Sequence, residues 1–427
     1  MNKEIRDEII RLVKREVVPA IGCTEPVAVA LCVAKATELL GEKPDAIKVL
    51  LSANVLKNAM GVGIPGTGMI GLPIAIALGS LVGKSEYQLE VLKDVTPEKV
   101  EEGKKFIDEG RIDIKLDPFA QSNLHIDVTV KKGSKTAHAI ISRAHTNFTL
   151  FEQNGETIFK EEPAAQTDKK QENNDIKLNL KTVYEFATTA PIEEISFILE
   201  AKKLNKAAAE KALAGEYGHS LGRTLRENGI KYFGQSPLSN MISYTSAACD
   251  ARMGGAPIPV MSNSGSGNQG ITATLPVVSY AEDINASEED TIRALMLSHL
   301  TSIYIKQSLG RLSALCGCVV ASTAACSALV YLMGGGYNEI CAAVKNMVAN
   351  LTGMICDGAK PSCAMKVSSG VSTAMMSAML AMNGRCVTSA EGIVSDDVDA
   401  TIRNLTSIGR EAMTETDRLV LDIMTHK

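Results

Sequence analysis

His125-Ile126-Asp127-Val128-Thr129-Val130-Lys131 alternates polar and apolar residues with a period of two. Successive side chains of a strand point to opposite faces, so this stretch reads as a strand with one dry and one wet side. Ile47-Lys48-Val49-Leu50-Leu51 reads as another strand, and residues 112–116, 136–142, 146–152 and 157–160 are further short alternating runs. Gly133-Ser134 and Asn154-Gly155 suit hairpin turns. A helical pattern over 97–109 sits among them.

Outward from this block the texture changes. Ile5, Ile9, Ile10, Leu12, Val13 and Val17 recur at helical spacing until Pro19. A second helix is expected from the N-cap Thr24 to about Leu40, with Gly41 as its stop. Residues 164–179 are polar without an apolar face and read as a surface linker. Beyond Thr182 the segments are helical in texture: 192–203, 204–215, 218–227, 236–253, 288–309, 312–333, 337–354, 370–382 and 397–427. The expected fold class is α+β, a small mixed α/β-sheet lobe inserted beside a large all-helical lobe. The divisions fall at 1–45 (N-terminal helices packing on the helical lobe), 46–181 and 182–427.

A chain of 427 residues exceeds what one core usually serves. The net charge of −5 comes with no basic stripe, 4% aromatics and no Trp, which argues against nucleic acid as a partner. Residues 312–333 carry no charge and are long enough to span a bilayer. Their Ala, Ser, Cys and Gly content, without a flanking aromatic belt or basic cluster, points instead to a buried helix and no membrane partner. Residues 1–14 are charged and amphipathic, without the apolar stretch of a signal peptide. The ten cysteines therefore read as metal, catalytic or packing residues in a reducing, cytoplasmic compartment.

Three thiolates can hold a metal centre and leave one position open for chemistry. Cys356 and Cys363 flank Asp357-Gly358-Ala359-Lys360-Pro361-Ser362, which Gly358 and Pro361 keep from being one helix. In Cys316-Gly317-Cys318, helical geometry turns the two thiols about 200° apart, so one faces a given centre and the other packs; the spacing does not choose between them. Cys32, Cys249, Cys326 and Cys341 sit among apolar residues and read as packing. Cys386, beside Arg385 in a polar turn, is a reserve candidate for a lowered pKa. Cys23 precedes the expected N-cap Thr24, where the helix dipole favours a thiolate.

The run from Ser262 through Asn263-Ser264-Gly265-Ser266-Gly267-Asn268 to Gly270 offers serial backbone N–H groups and Ser/Asn side chains, a nest for an anion. It lacks the lysine of a nucleotide phosphate loop, so a small carboxylate fits better. A second glycine loop, 61–68, follows Asn54 and Asn58 and reads mainly as close backbone packing. No histidine pair stands at metal spacing. His125, His138, His145 and His299 read as structural or surface residues, and His219 is the one candidate proton carrier.

Taken in order, Pro19-Ala20-Ile21-Gly22-Cys23-Thr24-Glu25-Pro26, the 264–268 loop and the Cys356 to Cys363 segment resemble the iron–sulfur L-cysteine desulfidases. That family is related to the alpha chain of iron–sulfur L-serine dehydratases. The resemblance implies a [4Fe-4S] cluster on Cys316, Cys356 and Cys363 within a helical catalytic lobe. It implies that Cys23 approaches the open iron as a displaceable ligand or a base. The implied reaction is β-elimination of hydrogen sulfide from L-cysteine, leaving pyruvate and ammonia.

Chemically, Cys23 is the expected base. Asn263, Ser264, Gly265, Ser266, Gly267 and Asn268 are the expected carboxylate clamp, with Lys360 as an extra cation. The alternatives are L-serine dehydration on the same cluster, a pyridoxal-phosphate eliminase with Lys360 as Schiff base, a non-catalytic four-cysteine metal-binding or redox-sensing protein, and a membrane transporter. A small amino acid is the expected partner, and the apolar helices make a homodimer reasonable.

Overall fold

The computed structural model describes residues 1–120, 122–161, 175–310 and 313–426. Its larger sheet has six strands among the described residues, in the order Ile112–Leu116, Ala46–Leu51, His125–Lys132, Lys135–Ser142, Phe148–Gln153 and Glu156–Lys160. The first pair is parallel and the others are antiparallel, so the sheet is mixed. Alternation decides its faces. Ile126, Val128 and Val130 join Ile47, Val49, Leu51, Ala137, Ala139 and Ile141 in a dry layer. On the wet face His138 stands between Asp127 (2.9 Å) and Glu152 (3.0 Å).

Helix Thr24–Leu40 lies on the dry face, and Cys32 Sγ donates to the Ala139 carbonyl at 3.3 Å. This corrects the expectation that both N-terminal helices pack on the helical lobe. Helix Leu72–Leu81 covers its other side, and a side chain at Gly79 would meet the Ala30 carbonyl at 2.6 Å. Packed between sheet and helix, residues 24–40 are apolar nearly all round. Helix Lys3–Glu16 instead buries Ile9, Leu12 and Val13 in the helical core.

That second core is formed mainly by helices Leu180–Thr189, Pro237–Met253, Gly267–Asp283, Glu288–Leu309, Gly317–Leu332, Tyr337–Leu351 and Cys363–Met382. Gly317–Leu332 is at its centre, buried from Cys318 to Val330, and its small residues let neighbours approach. The uncharged run is thus a core helix, and no described helix is long and apolar enough to cross a membrane. Several boundaries differ from expectation. Residues 199–213 form one helix, since no Gly or Pro interrupts them. The C-terminal segment splits into Val398–Ser407, a π turn at Ile408–Ala412, and Thr414–His426. Most of the expected linker lies outside the described residues.

Candidate active site

A strand pair too short to read in the sequence assembles the site. Pro19–Ile21 runs antiparallel to Pro259–Met261, with Pro19 opposite Met261. Beyond it, the Ser262 and Ser264 amides donate to the carbonyls of Val18 and Glu16, both at 2.9 Å. The chain leading to Cys23 is therefore tied to the serine–glycine loop. In that loop Asn263 and Ser266 pair across a tight turn whose central residues, Ser264 and Gly265, have φ of 49° and 81°. Two positive φ values suit a turn of this kind, and glycine takes the second without strain. Ser266 then caps helix Gly267–Asp283 by accepting from the Gln269 amide at 3.3 Å.

The cysteine segments are joined the same way. Leu315 and Ile355 form an isolated antiparallel bridge. The Cys316 amide donates to Met354 O (3.0 Å) and the Cys356 amide to Ala314 O (2.6 Å). Gly358 turns at φ 89° against the Lys57 carbonyl, and the Cys363 amide closes onto Lys360 O at 2.9 Å.

These segments enclose a cavity of about 170 Å³. Cys23, Cys316, Cys356 and Cys363 all line it, as do Ser264, Gly265, Ser266 and Asn268. Four helices of 16 to 20 residues begin at its wall: Cys23, Ser266 and Cys316 are N-caps, and Cys363 is the first residue of its helix. Unpaired N–H groups and aligned dipoles make such ends favourable to negative charge. Among the described residues Glu25 is the only acid lining the cavity, against Lys57, Arg252, Lys306 and Lys366. Lys57 pairs with Asp417 and Lys366 with Asp357. Arg252 is 7% exposed, donates to Asn268 Oδ1 at 3.1 Å, and has no carboxylate partner among the described residues.

The N-cap is Cys23 and not Thr24, and its thiol donates to Glu25 Oε2 at 3.0 Å. Burial, reinforced by Glu25, raises its pKa, so the dipole alone does not make it a thiolate. Burial and then Cys356 push Cys316 up to about 12, and burial raises Cys363. Cys318 touches the same wall, but its Sγ donates to Lys366 O at 3.1 Å and abuts Gly370.

Other expected residues stand elsewhere. Asn263 is fully buried behind the wall, bonded to His299. Gly267 is not on the wall; its bare α-carbon lets the Arg252 side chain lie across it. Lys360 is held by Asp357 and is not among the lining residues, which removes it as a Schiff-base candidate there. His219 is exposed and off the cavity. Cys386 is exposed on another surface, and partial burial raises its pKa instead of Arg385 lowering it. Gly63 packs on the Gly254–Gly255 backbone, and Asn54 and Asn58 reach the cavity. Arg252, Glu25, Gln269 and Lys366 were missed. A single Arg and Asp in the small-residue run Ser246-Ala247-Ala248-Cys249-Asp250-Ala251-Arg252 was the available signal.

Among the described residues, no three His, Cys, Asp or Glu side chains stand as ligands of one metal ion. A single zinc would need its sulfurs about 2.3 Å from one point. A multi-iron cluster gives each cysteine its own iron and accepts a wider spread. Three thiols on one wall, Cys316 sensing both Cys356 and Cys363, fit the second case and not the first.

A family model described as the serine dehydratase alpha chain matches residues 86–422. The chain belongs to that family, which supports a lyase related to the iron–sulfur dehydratases. More particularly, it is 64% identical to a UPF0597 protein of Bacteroides fragilis, with all of both chains covered. It is 56% identical to one from Porphyromonas gingivalis, again over the full length of both. A UPF0597 protein of Oleidesulfovibrio alaskensis is 50% identical over 98% of this chain and 97% of its own.

Proposed function

We propose that this protein is an L-cysteine desulfidase whose [4Fe-4S] cluster is held by Cys316, Cys356 and Cys363. The observation that carries the reading is the meeting of these three thiols with Cys23 and the serine–glycine loop on one wall, at four helix N-termini. When bound, the cluster supplies a Lewis-acidic iron that makes sulfide a better leaving group. The chain's own residues supply the rest. Arg252 draws the substrate carboxylate and stabilises the charge that grows on it as the α-proton leaves. Cys23 passes its proton to Glu25 Oε2 and then takes the α-proton on Sγ. The β-sulfur leaves as hydrosulfide, which takes the proton held on Glu25 to become hydrogen sulfide, and water converts the resulting aminoacrylate to pyruvate and ammonia. All ten cysteines are free, which fits a cytoplasmic enzyme.

The family match favours a second reading, L-serine dehydration by the same residues. Anaerobic reconstitution with iron and sulfide, followed by assays on both amino acids, separates them. The desulfidase reading expects about four irons and four sulfides per chain, sulfide and pyruvate from L-cysteine, and loss of both iron and activity in Cys356→Ser. Pyruvate from L-serine alone would establish the second reading, and a chain that takes up no iron would end both.

A further inference from the structure

We propose that the cavity fixes the direction of the bound amino acid, with the α-ammonium on Ser264 Oγ and Gln269 Oε1 and the carboxylate on Arg252 and Asn268 Nδ2. Asn263 and His299 are the positioning residues that set this polarity. The inference rests on the reading of the cavity as an amino-acid site, and it divides the serine–glycine loop between the two ends of the ligand.

Two anchors with a single hydrogen-bonding sense determine the assignment. The His299 main-chain carbonyl can only accept, so the Asn263 atom 3.1 Å away is its amide nitrogen. The same nitrogen lies 3.1 Å from His299 Nδ1, making that ring atom an acceptor. His299 is fully buried and burial pushes its pKa down to about 3, so the ring is neutral. Its proton sits on Nε2, 3.0 Å from Thr274 Oγ1, which in turn donates to Gly270 O at 2.7 Å. Asn263 Oδ1 must then face the loop, where it accepts from Ser264 Oγ at 2.9 Å and Gln269 Nε2 at 3.0 Å.

With its one proton committed to Asn263, Ser264 offers lone pairs to the cavity, and Gln269 has its carbonyl end free. Both residues line the wall and are buried. The second anchor is the guanidinium, which has only donors, so the Asn268 atom facing Arg252 Nη1 is the oxygen. Asn268 therefore presents N–H groups beside the buried Arg252 cation. One end of the cavity accepts and the other donates. A carboxylate turned toward Ser264 would meet lone pairs, whereas an ammonium there gains two acceptors.

The test uses the reconstituted enzyme and two inhibitors that both keep the thiol: cysteamine, without a carboxylate, and 3-mercaptopropionate, without an ammonium. A lost hydrogen bond to a charged group corresponds to roughly tenfold or more in inhibition constant. Ser264→Ala should weaken cysteamine by about tenfold and leave 3-mercaptopropionate within about twofold. Arg252→Met should do the reverse. His299→Leu keeps the main-chain carbonyl that orients Asn263 and removes only the Nδ1 acceptor, so it should weaken cysteamine by less than Ser264→Ala while leaving 3-mercaptopropionate within about twofold, and His299→Asn, which returns an acceptor near the place of Nδ1, should restore cysteamine. If His299→Leu does not fold, the Ser264 and Arg252 pair decides. Equal losses of both inhibitors, or the opposite selectivity, would overturn the polarity while leaving the active site in place. Failure of both thiols and of L-cysteine to bind the unaltered enzyme would remove the amino-acid site itself.

Discussion

Gly267→Ala tests whether Arg252 works through its position. A β-carbon at residue 267 would lie 2.7 Å from Arg252 Cδ and Cζ, and nearer still to Nε. Ordinary carbon contacts begin at about 3.5 Å, so the guanidinium must retreat by roughly 1 Å. It has little room to do so. Arg252 is 7% exposed and held by Asn268, and residue 267 is fixed as the first residue of a capped 17-residue helix. Displacements near 1 Å at a positioned group cost about 10²-fold in rate, equivalent to about 2.7 kcal/mol of transition-state stabilisation. The expected result is a loss of about 10²-fold in kcat/KM for pyruvate formation, alongside about 1–3 kcal/mol of destabilisation from overpacking. Both should depend on Arg252. In an Arg252→Ala background the added methyl meets no guanidinium, so Gly267→Ala should there have little further effect on urea unfolding or on residual turnover. Unaltered kcat/KM in Gly267→Ala, or simple addition of the two losses in the double variant, would refute the reasoning.

Other expectations follow from single contacts. Cys318→Ser should retain iron and turnover within about twofold, since serine can keep the bond to Lys366 O, while Cys316→Ser should lose both; iron analysis of the two proteins checks this. Asp417→Asn leaves Lys57, whose side chain is 4% exposed, as a buried cation without its partner, and should cost about 2–3 kcal/mol in urea unfolding. For His138, hydrogen bonding to Asp127, opposed by burial and aided by Glu152, raises the folded pKa above 6.5. Its stabilisation is full below 6.5 and is lost as pH rises through the higher folded value, so wild type should lose stability relative to His138→Gln across that interval.

The sheet was legible because one face is dry: the alternation read at 125–131 reappears as alternating half-buried and buried residues from His125 to Val130. The cysteine segments were legible because Gly358 and Pro361 rule out a single helix. Pro19–Ile21 was not, since three residues carry no periodicity and its partner lies far along the chain. Asn263 and Ser264 are neighbours of similar chemistry, yet a positive φ at Ser264 presents one to the cavity while the other stays buried. No local pattern encodes that division. Arg252 escaped notice because helix Pro237–Met253 is buried on nearly every side, so its charge marks no polar face. From the sequence Lys360 is the expected cation, but Asp357 pairs with both Lys360 and Lys366, and only Lys366 reaches the wall.

The electrostatics of the pocket bear on what it is built to hold. Four helix N-termini and Arg252 all favour negative charge there. Burial nevertheless prevails at Cys23, Cys316 and Cys363, whose pKa values are raised, so the helix ends do not by themselves yield thiolates. A bound cationic centre changes that balance, because it replaces the thiol protons and neutralises the sulfurs it binds. The helix dipoles then act on the net charge of the loaded site and on the substrate carboxylate instead of on bare sulfur. Backbone bonds, such as those between residues 314–316 and 354–356, hold the thiols' segments in place without help from the metal. A pocket made this way favours the protonated form of Cys316 and Cys363 until a metal centre displaces the protons, which is the behaviour the proposed cluster site needs.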